Sequence, residues 1–213
     1  MAQKCIDAKK LSGETLFSQR DFRNVDFYYC NFDDFGFYNC TFSDVNFKHC
    51  NFDKATIETC IFINCSFSFA DITECYINDC SFHHTSFKLC YFFDSRITQA
   101  SFFICGFQNS VFDNTYGFNL SFHEGAFYDV AFKQSNLKRV NCYRGYYNDS
   151  SFANCSFDNV YYINCRFIAS EYKDNTYNAF KMFNCKFNDD CKIADEEVKN
   201  FAIFVGEQSP KEE

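Results

Sequence analysis

Bulky hydrophobic side chains recur at every fifth residue along most of the chain. The phase that begins at Phe17 continues to Phe187 without an insertion or a deletion. Of the 35 central positions, 23 are Phe and nine are Ile, Tyr or Leu; the other three are Gly117, Cys142 and Met182. A period of five fits neither the 3.6-residue period of a helix nor the 2.0-residue period of a strand. The pattern therefore predicts a structural unit of five residues that is repeated along the chain.

A second inward position lies two residues before each centre, where the side chain is usually small. Twelve of the fifteen Cys occupy it, among them Cys30, Cys40 and Cys50. The other three positions are mostly Asn, Asp, Ser, Lys or Tyr. A chain that turns a corner after every repeat closes one coil in 20 residues, and stacked coils pair their backbones as parallel strands do. We therefore expect an all-β solenoid of about nine coils, roughly 40 Å long at about 4.8 Å per coil.

The central column has one conspicuous interruption, at Gly117. Two explanations remain open from the sequence. Either Phe118 turns inward in place of the missing side chain, or the interior is locally underfilled. Both predict a local kink near the middle of the rod.

The ends of the chain depart from the repeat, which divides it into three segments. Residues 1–16 are expected to form an N-terminal cap, 17–187 the solenoid, and 188–213 a C-terminal helical cap. Six apolar residues of the last segment lie within about 100° of a helical arc: Cys191, Ala194, Val198, Phe201, Ala202 and Val205. Ile193, Ile203 and Phe204 lie off that arc, and together with Phe201 they predict a homodimer contact. Packing of both apolar surfaces on the last coil is the alternative.

Charge and cysteine content limit the classes of partner and compartment. The net charge is −8, and it divides into +1 for residues 1–16, −6 for 17–79, +2 for 80–187 and −5 for 188–213. This balance disfavours direct nucleic-acid binding. The N-terminus lacks an apolar stretch typical of a signal peptide, and no run of about 18 apolar residues predicts a membrane span. We expect reduced thiols and a cytoplasmic location.

Side chains 20 residues apart stack on one face, so the sequence also predicts two distinct surfaces. The first is an acidic face, with Asp33, Asp34, Asp53, Asp71, Glu74, Asp94 and Asp113. The second, on the opposite side, is an apolar stripe formed by Ile63, His83, Phe103, His123, Tyr143, Ile163 and Phe183. The stripe is either a ladder that stabilises the sheet or a surface that binds a protein partner.

The same geometry argues against catalysis and metal binding. Cys60 and Cys65 have a spacing that resembles a metal-ligand pair, but they lie on adjacent walls of a filled interior without room for four converging ligands. The histidines have no spacing that pairs them with a nucleophile, and a filled rod offers no cleft. We expect no enzyme activity, no metal and no cofactor.

The repeat resembles the pentapeptide-repeat family, whose pattern is small, Asn or Asp, Leu or Phe, polar, any residue. Residues Cys30 to Asp34 and Cys50 to Lys54 match this pattern fully. The resemblance implies a right-handed quadrilateral β-helix and similarity to the quinolone-resistance members that interact with DNA gyrase. It implies a protein partner, with DNA gyrase as the leading candidate and the acidic face as a mimic of DNA. The alternative is a general interaction scaffold that uses the apolar stripe or the C-terminal helix and is unrelated to DNA topology.

Overall fold

A computed structural model describes residues 15–200 and the backbone of residues 203–204. Most strands are three residues long, with the central residue buried and its two neighbours facing outward, as in Ser81–His83. Each strand is followed by a corner, and the chain returns to the same wall after 20 residues. The predicted all-β solenoid of about nine turns is confirmed.

The strands form four faces. Face 1 contains Leu16–Ser18, Gly36–Tyr38, Thr56–Glu58, Tyr76–Asn78, Arg96–Thr98 and Thr176–Asn178. Face 2 contains Asp21–Arg23, Thr41–Ser43, Ile61–Ile63, Ser81–His83, Ser101–Phe103 and Lys181–Phe183. Three longer strands cross the corner between these faces and join them into one 15-stranded sheet: Tyr116–His123, Asn136–Tyr143 and Ser156–Ile163.

The other two faces form separate sheets. Face 3 contains ten strands: Asp26–Tyr28, Asn46–Lys48, Ser66–Ser68, Ser86–Lys88, Gly106–Gln108, Ala126–Tyr128, Tyr146–Asn148, Arg166–Ile168, Lys186–Phe187 and Ile203–Phe204. Face 4 contains seven strands: Asp71–Thr73, Tyr91–Phe93, Val111–Asp113, Ala131–Lys133, Ser151–Ala153, Glu171–Lys173 and Lys192–Ile193. In its first two coils, face 4 pairs only through bridges between Asn31, Asn51 and Asp71.

The core is a set of aromatic columns. Phe82 pairs in register with Phe62 and Phe102, and its ring stacks on theirs at centroid distances of 4.7 and 4.8 Å. Rings on neighbouring walls meet edge to face, as Phe82 and Phe87 do at 5.5 Å. Because stacked rings separated by one coil fill the interior without gaps, the parallel register and the side-chain packing support each other.

The corners require a left-handed backbone. Thirty-four non-glycine residues, one in every five from Gln19 to Asn184, have φ between 46° and 60°. Half of these residues are Asn or Asp, whose short polar side chains tolerate this conformation best among the residues that carry a Cβ. The frequent Asn and Asp at these corner positions are therefore explained by the left-handed backbone as well as by exposure to solvent.

The small inward position has a hydrogen-bonding role that the sequence reasoning missed. The Cys60 thiol donates to the Phe37 carbonyl at 3.4 Å, and the Ser95 hydroxyl donates to the Ile72 carbonyl at 2.6 Å. In each case the acceptor is a central residue of the preceding coil, 23 positions earlier in the chain. Because Cys, Ser and Thr all supply such a donor, they replace one another at this position.

At Gly117 the interior is filled by a different route from either alternative. Gly117 stays in register with Ile97 and Leu137, and Phe118 remains outside with the Arg139 guanidinium 5.4 Å from its ring centroid. Leu120, which occupies a normally small position, places its side chain 2.9 Å from where a Cβ of residue 117 would lie. A cavity of only about 10 Å³ is left. Inward rotation of Phe118 is therefore wrong, and the backbone pairing continues through this coil without a bulge.

The C-terminal segment contains one short helix, Glu196–Lys199, with Val198 buried beneath it. The longer helical arc predicted from Cys191 onward is wrong, because Lys192–Ile193 and Ile203–Phe204 extend faces 4 and 3 as parallel strands. The Lys192 amide donates to the Ser170 carbonyl at 2.9 Å, so backbone groups at the end of the rod gain partners. Phe201 and Val205, and residues 1–14 of the predicted N-terminal cap, lie outside the described residues.

Candidate functional site

The acidic side chains predicted for one surface all lie on face 4 and its corner, within its first five coils. Asp34, Glu74 and Asp94 occupy left-handed corner positions and are exposed, as is Asp71 on the strand. Three more line a column of outward strand positions and are half-buried: Asp33, Asp53 and Asp113. The structure therefore brings the seven predicted acids together on one surface, which we call the acidic face.

Few positive charges neutralise the acidic face. Lys54 is its one basic residue between residues 30 and 114, and its ammonium lies 3.3 Å from the Asp53 carboxylate. The hydrogen bond to Asp53, together with the charges of Asp53, Glu74 and Asp33, raises the pKa of Lys54 above its ordinary value. Asp113 is followed in its column by Lys133, where the acidic face ends.

The charge density of the acidic face resembles that of a nucleic acid. Five coils, separated by about 4.8 Å each, span about 19 Å and carry six net negative charges, or about one per 3 Å. Duplex DNA carries about one charge per 1.7 Å, and each of its strands carries about one per 3.4 Å. The acidic face thus has about the charge density of a single DNA strand and about half that of the duplex.

The apolar stripe forms a continuous column on face 2, with each member in register with the next. Ile63, Phe103 and Phe183 are exposed by 36%, 39% and 50%. The rings also contact one another, since the centroid of the His123 ring lies 5.8 Å from that of Phe103 and 4.7 Å from that of Tyr143. The column therefore has the contacts of a stabilising ladder and the exposure of a docking surface.

Most thiols in the part of the chain that the structure describes are buried, and burial raises the pKa of many of them, whereas the hydrogen bond with Cys165 lowers the pKa of Cys185. Thirteen of the fourteen cysteines between Cys30 and Cys191 are buried, all are free, and no group of three or more His, Cys, Asp or Glu residues is placed to hold a metal ion. Burial raises the pKa of Cys65 to about 11 and those of Cys90 and Cys105 to about 12. Thiols with such values remain protonated and weakly nucleophilic at neutral pH.

The thiol pKa values predict a loss of stability at high pH. An unfolded thiol titrates near 9, whereas Cys90 in the fold keeps its proton to about pH 12. Above pH 9 the unfolded state has therefore released a proton that the folded state retains, and stability falls as pH rises. We expect Cys90→Ser, which keeps the donor to the Phe67 carbonyl, to reduce this loss by up to about 1.4 kcal/mol per pH unit. Urea unfolding of the parent and the Cys90→Ser variant at pH 8, 10 and 11 measures the loss of stability. Equal losses in the two proteins would contradict the raised pKa of Cys90.

The C-terminal end holds the residues predicted for dimerisation, but the structure describes few of their side chains. Ile193 is half-buried on face 4, Phe201 lies outside the described residues, and only the backbones of Ile203 and Phe204 are described. At this end the strands Thr176–Asn178 and Lys181–Phe183 each pair with a neighbour on one side. An open hollow of about 270 Å³ beside them is lined by Tyr177, Ala179, Phe180, Glu197 and Asn200.

Within the described residues no helix is long and apolar enough to span a membrane.

One exposed surface was missed by the sequence reasoning. Tyr29, His49, Phe69 and Leu89 follow one another at the corner between faces 3 and 4, at positions where the chain elsewhere usually places Asn or Asp. We call this column the aromatic corner. The signal was available as an apolar or aromatic residue at every twentieth position, but it was hidden because that position was considered only as polar surface.

Comparison with known proteins gives one family match and several structural neighbours of low sequence identity. The family model described as pentapeptide repeats matches residues 21–58 and 40–79. QnrB1, a plasmid-mediated fluoroquinolone resistance protein, is 14% identical, with 79% of this chain and 89% of that chain covered and a TM-score of 0.38. HetL, a pentapeptide repeat protein from the cyanobacterium Nostoc sp. strain PCC 7120, is 9% identical, with coverage of 84% and 91% and a TM-score of 0.35.

A third structure is PfbA, a surface protein and adhesin of Streptococcus pneumoniae. It is 9% identical, with 88% of this chain and 67% of that chain covered and a TM-score of 0.50. A likeness at this identity concerns the fold and not the function. No curated protein matches the sequence. The chain therefore matches pentapeptide repeats over residues 21–79, and the same five-residue coil continues in register to Phe187.

Proposed function

We propose that this protein is a non-enzymatic rod that binds the basic DNA-binding surface of a topoisomerase, with DNA gyrase as the leading candidate, by presenting its acidic face in place of DNA. The observation that carries the proposal is the charge density of that face, about one net negative charge per 3 Å along the stacked coils. A surface of this kind is attracted to a basic saddle from a distance and aligned with it before contact.

The filled interior supports the same proposal. Stacked rings such as Phe62, Phe82 and Phe102 leave the walls little freedom to deform, so the carboxylates are held in position before the partner arrives. Binding then costs less conformational entropy than binding by a flexible acidic tail. A partner that accepts this rod in place of DNA would be protected from agents that act on its complex with DNA, and we propose quinolone resistance as the consequence.

Calorimetric titration of the protein into DNA gyrase, with and without saturating duplex DNA, tests the proposal. We expect micromolar or tighter binding in 50 mM salt and its loss when DNA occupies the saddle. Equal binding in the presence of DNA would show that the rod does not take the place of DNA. Absence of binding would refute the assignment of this partner.

The apolar stripe favours a second candidate function, docking of a protein unrelated to DNA topology. Phe103 and Phe183 are exposed by 39% and 50% in one column. Phe103→Ser combined with Tyr143→Ser should abolish capture of such a partner and leave gyrase binding intact.

We also propose a homodimer joined at the C-terminal end through Ile193, Phe201, Ile203 and Phe204. Within the described residues, the strands Thr176–Asn178 and Lys181–Phe183 at this end have a paired neighbour on one side only. We also propose a cytoplasmic location, because a reducing compartment would keep the free thiols of the core reduced.

A further inference from the structure

The aromatic corner combines two unfavourable features in the same residues. Tyr29, Phe69 and Leu89 have φ of 53°, 57° and 54°, a conformation that bulky side chains rarely adopt. The same three side chains are exposed by 74%, 46% and 40%. Among the other described corners, only Ile104 carries a large apolar residue. Strain and exposed apolar area that coincide on one edge point to a functional surface.

The corner is also ordered as a unit. The His49 ring stacks between Tyr29 at 4.7 Å and Phe69 at 4.6 Å, with interplanar angles of 5° and 20°. Leu89 extends the column by one more coil. Rigid aromatic side chains lose little conformational entropy when a partner covers them, and such residues dominate the binding energy of many interfaces.

Its surroundings define the chemistry of the partner. On one side the corner borders the acidic face along the coils that carry Asp33, Asp53 and Asp71. On the other side, the outward positions of face 3 carry Asp26, Lys48 and Lys88, a net charge of only +1. A partner with a basic surface is therefore attracted to the face 4 side and not to the face 3 side. A partner bound to the acidic face would contact the aromatic corner with the edge of its surface.

We propose that the aromatic corner anchors a protein whose lysine- and arginine-rich surface is edged by an apolar cleft. The inference rests on the proposed function and deepens it, because DNA has no equivalent of this column. The carboxylates attract the partner and set the association rate, whereas the side chains of the aromatic corner, once the partner covers them, slow dissociation. Contacts of this kind persist at salt concentrations that screen charges.

The test compares two kinds of corner variant in binding to DNA gyrase, the probe protein, by surface plasmon resonance in 50 and 300 mM salt. The corner variant carries Tyr29→Asn, Phe69→Asn and Leu89→Asn. The matched control is Ile104→Asn, which makes the same chemical change at a left-handed corner between faces 2 and 3. At 300 mM salt we expect the corner variant to dissociate at least about 10-fold faster than the parent, with the control unchanged.

The substitutions to Asn keep the test separate from folding. Asn suits the left-handed conformation and already occupies corners such as Asn109 in the same column, so the corner variant should melt within about 3 °C of the parent. A fall of more than about 5 °C would make the column a structural ladder and overturn the inference. Dissociation at the parental rate would overturn it and leave the proposed function standing. Failure of the parent to bind gyrase would overturn both.

Discussion

Replacement of Phe82 by Ala is expected to reduce the free energy of unfolding by about 3–5 kcal/mol. The Phe82 ring is 1% exposed, stacks on Phe62 and Phe102, and meets Phe87 edge to face. Coils above and below are held by their own pairing and cannot collapse into the space, so most of the cavity would remain. Urea unfolding followed by far-ultraviolet circular dichroism measures the loss.

A matched control lies on a neighbouring strand of the same face. Phe103→Ala also removes a phenyl ring, but this ring faces outward and is 39% exposed, so we expect a loss below about 1 kcal/mol. The contrast between the two variants tests the inward and outward assignment of the repeat. Equal stability of the Phe82 variant and the parent would make that assignment wrong.

Charge reversal on the acidic face is expected to abolish binding to DNA gyrase. Asp34→Lys, Glu74→Lys and Asp94→Lys change three exposed corner positions in the same column as Lys54, and the six net negative charges of the face become zero. Attraction to a basic saddle is lost, and we expect the affinity in 50 mM salt to fall at least about 100-fold. The effect should shrink as salt rises, because screening weakens the same interaction in the parent.

The chain offers a control with the same change in net charge. Asp44→Lys, Asp79→Lys and Glu124→Lys alter exposed left-handed positions on the other corners, away from face 4. If binding depends on the acidic face, this variant should retain at least about a third of the parental affinity. Equal losses in both variants would show that total charge, and not the arrangement on one face, determines binding. Because all six positions are exposed, we expect both variants to fold.

The sequence predicted the solenoid, the four-sided coil and the members of two faces, because an unbroken period leaves each residue one position. Every residue from Asp33 to Asp113 assigned to the acidic face lies on face 4 or its corner. The packing that compensates for the missing side chain at Gly117 could not be predicted from the sequence. Leu120 fills the space above Gly117 from a position that usually holds a small residue, and this exchange becomes visible only when neighbouring coils are stacked.

The C-terminal prediction holds in part: the short helix is present, but the continuous helical arc from Cys191 to Val205 is wrong. Helical periodicity describes one segment in isolation, whereas the last coil presents backbone groups that the following residues can pair with. Lys192 and Ile193 satisfy the edge of face 4, where Ile also has a high strand propensity. The role of Cys60 and its equivalents as hydrogen-bond donors was missed because the acceptor lies 23 residues away and in another coil.

The most direct test of the central claim is inhibition of DNA supercoiling by bacterial DNA gyrase, measured with and without a quinolone. Three proteins are compared: the parent, the variant reversed on the acidic face and the control reversed on the other corners. We predict inhibition or drug protection at micromolar concentrations by the parent and the control, and neither effect by the acidic-face variant. Activity that is unaffected by the parent throughout the micromolar range, or affected equally by all three proteins, would contradict binding through the acidic face.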